Sequence, residues 1–170
     1  VPGCIQAPVR RKLRPSFHLT AWEAALTTVA EIIKSKPDGK VHSVKPTDTV
    51  LSALKLMADM HIGALLVMEG DKIAGIFTER DYARKVVLLG RASIDTPISE
   101  VMTRAVRFMH PTNSAEECMA LMTENRLRHL PVMDGEQVVG LVSIGDLVKS
   151  VISEQQFIIT QMEQYITRVW

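Results

Sequence analysis

Two short stretches hold the residue types best suited to chemistry: Gly75-Ile76-Phe77-Thr78-Glu79-Arg80-Asp81 and Gly140-Leu141-Val142-Ser143-Ile144-Gly145-Asp146. Each runs glycine, two apolar residues, a hydroxyl residue, two variable residues and an aspartate. A Ser or Thr followed three residues later by an acid, opening a helical pattern, is close to a capping box, and capping accounts for each corner taken singly. A second chemistry suits the same residues. A helix N-terminus presents free N–H groups and positive dipole to a phosphate, and the hydroxyl adds a donor. An aspartate carboxylate can accept hydrogen bonds from both hydroxyls of a ribose. Hydroxyl and aspartate together therefore suit a nucleoside phosphate, and the recurrence of the corner makes capping an incomplete explanation.

The corners recur because the chain does. Residues 44–87 align without a gap on residues 109–152 at a constant offset of 65, with Pro46-Thr47 on Pro111-Thr112, Val67-Met68 on Val132-Met133, and Asp81 on Asp146. A repeat of this kind fixes the architecture before any single motif does. Each copy is too short to bury a good core alone, so two copies packed as one unit is the economical reading.

The elements that must position the corners follow from periodicity. Residues 22–36 read as a helix, with Leu26, Val29, Ile32 and Ile33 at helical spacing, stopped by Pro37-Asp38-Gly39. Residues 41–44 read as a strand. A helix then opens at Pro46-Thr47-Asp48-Thr49, with Asp48 or Thr47 as the expected N-cap. Continuous apolar runs at 64–68 and 73–77, joined by Glu69-Gly70-Asp71, predict a hairpin covered on both faces. Thr78 opens a helix expected to reach Leu89 and end at Gly90. The second copy repeats this: a short helix at 98–102, a strand at 106–109, a helix at 114–125, strands at 130–133 and 138–142, and a long helix from Ser143. Helical spacing persists through Ile158, Ile159, Met162, Ile166 and Val169. The fold class is α/β, each copy strand–helix–strand–strand–helix, the two related by a pseudo-two-fold axis. The expected boundaries are a flexible basic arm at 1–24, repeats at 25–91 and 92–153, and a helical extension at 154–170.

Composition narrows the function classes. A net charge of +1 gives no general case for nucleic acid or a membrane surface, and no apolar run reaches the roughly 20 residues a bilayer span needs. Residues 1–22 carry Arg10, Arg11, Lys12 and Arg14 without an acid; a loose tail, an organelle-targeting remnant and a nucleic-acid arm compete there, in that order. Cys4 and Cys118 form neither a disulfide framework nor a metal pattern, which fits a reducing compartment, and the cytoplasm is the expected location. The five histidines lack ligand spacing, so no metal is expected. Nine methionines mostly fall at helical spacing and read as core. No nucleophile stands with a base, and no phosphate loop is present, so catalysis is not expected.

With the Pro-Thr helix openings, Ile98–Thr103, Arg128-His129-Leu130-Pro131-Val132 and both corners in view, the chain resembles a tandem pair of CBS (cystathionine-β-synthase) domains over about residues 29–152. The wording Thr78-Glu79-Arg80-Asp81-Tyr82 resembles the small stand-alone type. The resemblance implies two clefts between the repeats, each taking hydroxyl and aspartate from one repeat and base contacts from the other. The first cleft would use Thr78, Arg80 and Asp81 with Ile76 against the base, and Met102, Thr103 and Val106 from the other repeat. The second would use Ser143, Asp146 and Leu141 with the segment around Lys40 and His42. Gly63-Ala64 and Arg128-His129 would stand between the clefts. Arg80, Arg84, Arg104 and Arg107 favour phosphate at the first cleft, whereas Gly145 and Lys149 replace the first two at the second, so unequal affinities are expected. Aligning 29–33 with 98–102 needs an offset of 69, so four extra residues fall in the loop at 35–39, which should border the second cleft. The resemblance further implies a non-catalytic sensor of AMP, or of ADP, ATP or NAD(H), working as a flat homodimer of four repeats. A structural dimerisation module with degenerate clefts is the alternative. The amphipathic tail at 157–170 is expected to be buried in a partner subunit.

Overall fold

The computed structural model describes residues 4–6, 27–36 and 39–168. In chain order these form β1 (Cys4–Gln6), α1 (Val29–Lys34), β2 (Ser43–Val44), α2 (Val50–Met60), β3 (Ala64–Glu69), β4 (Lys72–Thr78) and α3 (Glu79–Asp81). Then follow α4 (Ile98–Val101), β5 (Val106–Phe108), α5 (Ala115–Asn125), β6 (His129–Asp134), β7 (Gln137–Ser143) and α6 (Ile144–Arg168).

The two hairpins are near copies. β3–β4 pairs Ala64 with Thr78 and Glu69 with Lys72; β6–β7 pairs His129 with Ser143 and Asp134 with Gln137. Both carry a bulge at the equivalent step, Val67/Met68 and Val132/Met133. Gly70 and Gly135 take φ of 62° and 60° in the tight turns, where a side chain would be strained. β2 adds in parallel to β3, and Met109 bridges Val132 in the corresponding place.

Several expected boundaries move. Thr28 is extended (φ −82°, ψ 156°) and forms a capping box with Glu31, so the first helix starts at Val29; Trp22 lies outside the described residues. The N-cap of α2 is Thr49, which accepts from the Ser52 N–H, and not Asp48 or Thr47; the Asp48 carboxylate instead accepts from the Lys45 N–H. The expected helix from Thr78 makes one α-helical turn and then widens into a π-helical stretch, Tyr82–Val87. The expected loose basic arm contributes β1, parallel to β5 with Cys4 opposite Val106.

Each short leading helix crosses to the other repeat. α4 belongs to the second copy, yet the Ile98 and Ser99 N–H groups donate to Asp48 and Pro46 carbonyls, and Val50 N–H donates to Thr96. α1 mirrors this on the second repeat: Val29 and Ala30 donate to Asn113 and Pro111, and Ala115 donates to Thr27. The donors on α1 and α4 differ by 69 and their acceptors by 65, so the pairing reproduces the two sequence offsets. Two cores result. Ile98, Val101 and Met102 pack with Val50, Leu65 and Phe77; Val29 and Ile32 pack with Cys118, Leu130 and Leu147. A third cluster joins the halves, with Val106, Ile73 and Met133 buried beside Val41, Val138, Ile76 and Leu141.

Candidate functional site

Both corners fold as the capping box their spacing demands. In the first, Thr78 N–H and Oγ1–H donate to Asp81 Oδ2 at 3.1 and 2.7 Å, and Asp81 N–H returns a bond to Thr78 Oγ1. In the second, Ser143 N–H and Oγ–H donate to Asp146 Oδ2, both at 2.8 Å, with the same return bond. Register places the other candidates beside them. Ala64 is opposite Thr78 and His129 opposite Ser143, while Gly63 and Arg128 accept through their carbonyls from the Glu79 and Ile144 N–H groups. A Cβ on Gly63 would lie 3.9 Å from the His129 ring, so the Gly63-Ala64 and Arg128-His129 segments meet between the corners.

The first cleft draws its parts together across the repeats. Ile76 and Thr103 exchange backbone hydrogen bonds of 2.9 and 2.8 Å, with Met102 and Val106 buried alongside. Gly75 permits this close crossing, since a Cβ there would stand 2.9 Å from the Thr103 carbonyl oxygen and 2.8 Å from Met102 Sδ. Thr103 Oγ1 then donates to Asp81 Oδ1 at 2.9 Å, and Lys85 Nζ reaches the same oxygen at 2.7 Å. Lys85 also donates to the Val101 carbonyl and Thr103 Oγ1. Both Asp81 oxygens are thus engaged, and its side chain is only 12% exposed. Two of the four cations expected to meet phosphate bind carbonyls instead, Arg80 that of Arg126 at the end of α5 and Arg104 that of Ser99, while Arg84 is exposed and Arg107 half-buried.

The second cleft is built differently. Lys36, from the loop containing the four extra residues, extends its ammonium to Asp146 Oδ2 at 2.8 Å and to the Leu141 carbonyl at 2.7 Å. The segment expected there was Lys40 and His42, but Lys40 is exposed and the His42 carbonyl accepts from Leu66 within the sheet region. The cation at this corner is Lys36, four residues before the expected Lys40. Asp146 Oδ1 has no hydrogen-bond partner among the described residues, and the side chain is 27% exposed. Burial alone would raise the Asp146 carboxyl, but hydrogen bonds from Lys36 and Ser143 and the lysine charge outweigh it and hold it below the ordinary aspartate range. Burial lowers His129, the nearby Asp146 works against this, and the Lys36 and Arg128 charges reinforce it, so the ring favours its neutral form.

Lys85 was legible as a partner of Asp81 from its i,i+4 spacing. Lys36 had no such periodic signal. Two hollows stand out among the described residues, about 400 Å³ along the start of α6 and about 520 Å³ between β2 and the first hairpin turn; neither is lined by Asp81 or Asp146. No group of three or more His, Cys, Asp or Glu side chains suited to a metal occurs among the described residues, nor a helix long and apolar enough to cross a membrane.

Comparison with known proteins places this geometry. The CBS domain profile matches residues 29–88 and 98–153. A mitochondrial CBS domain-containing protein of Arabidopsis thaliana, CBSX3, is 38% identical over 148 residues, 82% of this chain and 72% of that protein. A protein with CBS domains from Burkholderia ambifaria MC40-6 superposes with a TM-score of 0.74 at 60% identity, over 76% of this chain and 96% of the other. The CBS domain pair of protein MJ0100, solved with 5′-methylthioadenosine and S-adenosyl-L-methionine, gives a TM-score of 0.67 at 25% identity, over 76% and 98%.

Proposed function

The chain belongs to the CBS-domain family, with two CBS repeats in one α/β module, and from that premise we propose that it is a non-catalytic sensor of an adenosine nucleotide. CBS-pair modules generally bind adenosine ligands for regulation, and one structural neighbour holds two such ligands. The observation that carries the reading here is the Lys36 ammonium. It occupies Asp146 Oδ2 and the Leu141 carbonyl together, two acceptors that the hydrogen-bond donors of a ligand would use. Asp146 Oδ1 has no hydrogen-bond partner among the described residues, whereas Asp81 is consumed by Thr103 and Lys85. The second cleft is therefore the receiving one, with Ser143, Asp146 and Leu141 in contact and His129 at its edge. This order departs from the expectation set by the arginines, because two of them, Arg80 and Arg104, are spent on backbone carbonyls.

AMP is the first choice of ligand, followed by ADP, ATP and NAD(H). Binding changes the relative arrangement of the repeats, and a second copy or another protein reads that arrangement. The flat dimer of four repeats and a cytoplasmic location belong to this proposal. Thermal melting of the full chain with a nucleotide panel tests it: a ligand at 100 times its dissociation constant adds roughly 2.7 kcal/mol of stability. A rise with at least one adenine nucleotide, abolished by Asp146→Ala, supports the sensor; no rise with any of them removes it. The second reading, a structural dimerisation module, is favoured by one observation: Asp81 is fully satisfied within its own chain, as a closed structural tie would be.

A further inference from the structure

The long helix α6 leaves the module with its apolar side uncovered. Ile152, Ile159, Met162 and Ile166 are 57%, 50%, 61% and 60% exposed. Val148, Ile152, Gln155, Ile159, Met162 and Ile166 recur at steps of 4, 3, 4, 3 and 4 residues, which is the seam of a coiled coil with isoleucine at each a position. A contiguous apolar surface of this kind marks an interaction site. A membrane surface is a poor occupant, because the polar side carries Glu154, Gln156, Gln161, Glu163 and Gln164 in place of the lysines and arginines that such helices use.

The flanks of the seam select the partner and its direction. One flank holds Lys149, Gln156 and Glu163; the other holds Val151, Ile158 and Tyr165. Parallel pairing with an identical helix sets the charged flank of one copy against the apolar flank of the other. Antiparallel pairing sets each flank against itself. Lys149 then faces Glu163 of the second copy, twice by symmetry, while Gln156 meets Gln156 and Ile158 meets Ile158 near the axis. The same register places Val148 opposite Ile166 and Ile152 opposite Met162 of the second copy. The hollow of about 400 Å³ over Gly145, Val148 and Ile152 lies where those two larger side chains would seat.

We propose that α6 is a self-recognition helix that pairs antiparallel with α6 of a second copy of this chain, around a two-fold axis near Phe157. The seam from Val148 to Ile166 runs roughly 27 Å at 1.5 Å per residue. Because α6 begins at the Ser143–Asp146 corner, the pairing joins the second clefts of two copies by continuous helices. The contact itself goes beyond the nucleotide reading and does not depend on it.

Sedimentation or light scattering of the full chain over a concentration series tests the pairing. The wild type is expected to dimerise, and Ile159→Asp to weaken the dimer at least 100-fold with the circular dichroism of the module retained. Lys149→Glu and Glu163→Lys are each expected to weaken it roughly threefold to tenfold, a range set by exposed ion pairs, and the double exchange to restore it. A monomeric wild type, a dimer indifferent to Ile159→Asp, or a double exchange no better than its parents overturns the proposal. Nucleotide-dependent melting of Ile159→Asp reports on the cleft separately, so failure of one reading is not mistaken for failure of the other.

Discussion

Replacing the two aspartates should expose the difference between the corners. Asp81→Ala removes the bonds from Thr78 N–H and Oγ1, the Thr103 bond to the other repeat, and the Lys85 ion pair, at a side chain 12% exposed. Asp146→Ala removes the equivalent bonds from Ser143 and the Lys36 contact, at a side chain 27% exposed. The capping loss is common to both and is about 1 kcal/mol. Lys85 and Lys36 each keep a backbone carbonyl, which softens the loss of their partner. The excess at Asp81 is the cross-repeat Thr103 bond to a charged group and the deeper burial, about 1–2 kcal/mol. Asp81→Ala is therefore expected to cost about 2–3 kcal/mol and Asp146→Ala about 1–2 kcal/mol, a difference of roughly 2–4 °C in Tm per kcal/mol for a chain of this size. Urea unfolding followed by circular dichroism, with m-values checked for constancy, measures both. A Thr103→Val cycle against Asp81→Ala isolates the cross-repeat bond, and the coupling should be about 1 kcal/mol. Equal losses at the two aspartates together with zero coupling would mean that the cross-repeat bond at Asp81 contributes nothing to stability.

Further expectations can be checked with simpler measurements. Lys36→Met vacates the acceptors it bridges and should tighten nucleotide binding at the second cleft by roughly threefold to tenfold, since the contact is a half-exposed one; calorimetric titration showing weaker binding would make Lys36 a ligand contact and not a competitor. His129 has a lowered proton affinity in the folded chain, so the unfolded chain binds the extra proton first: stability should fall as pH drops below about 6.5, and His129→Gln should flatten that slope in pH-resolved melting. Asp146, lowered in the opposite class of group, contributes stability above the ordinary carboxylate range that disappears on further acidification below about pH 4. Cys118 is buried and its thiol is pushed up to about 12, first by burial and then by the Glu117 charge, so iodoacetamide should spare it at pH 8 in the native chain and label it in urea. Gly75→Ala forces the Ile76–Thr103 crossing apart and should cost roughly 1–3 kcal/mol in urea unfolding.

The hairpins, both corners and the linking segment between them were legible because each rests on local rules: a two-residue turn with positive φ at glycine, a hydroxyl three residues before an acid, and an offset that never slips. The crossing of the leading helices was not legible, because the change of offset from 65 to 69 marks only four extra residues and would be the same for helices kept within their own repeats. What stayed hidden was set by long side chains and by competition. Lys36 reaches its acceptors across 105 and 110 residues of sequence, and no periodicity announces such a contact. The arginines suggested phosphate by charge, but Arg80 finds the carbonyl at the C-terminus of α5, where a cation is favoured by the helix dipole. The start of the first helix was misjudged because apolar spacing runs on past Thr28, while the Thr28–Glu31 box decides the boundary.

The receiving cleft is tested most directly by isothermal titration of the full chain with AMP, ADP, ATP and NAD(H), each against the wild type and Asp146→Ala. One nucleotide per chain, lost in Asp146→Ala, is the result the account requires. Heat from two equivalent sites, or one site that survives Asp146→Ala, would contradict it.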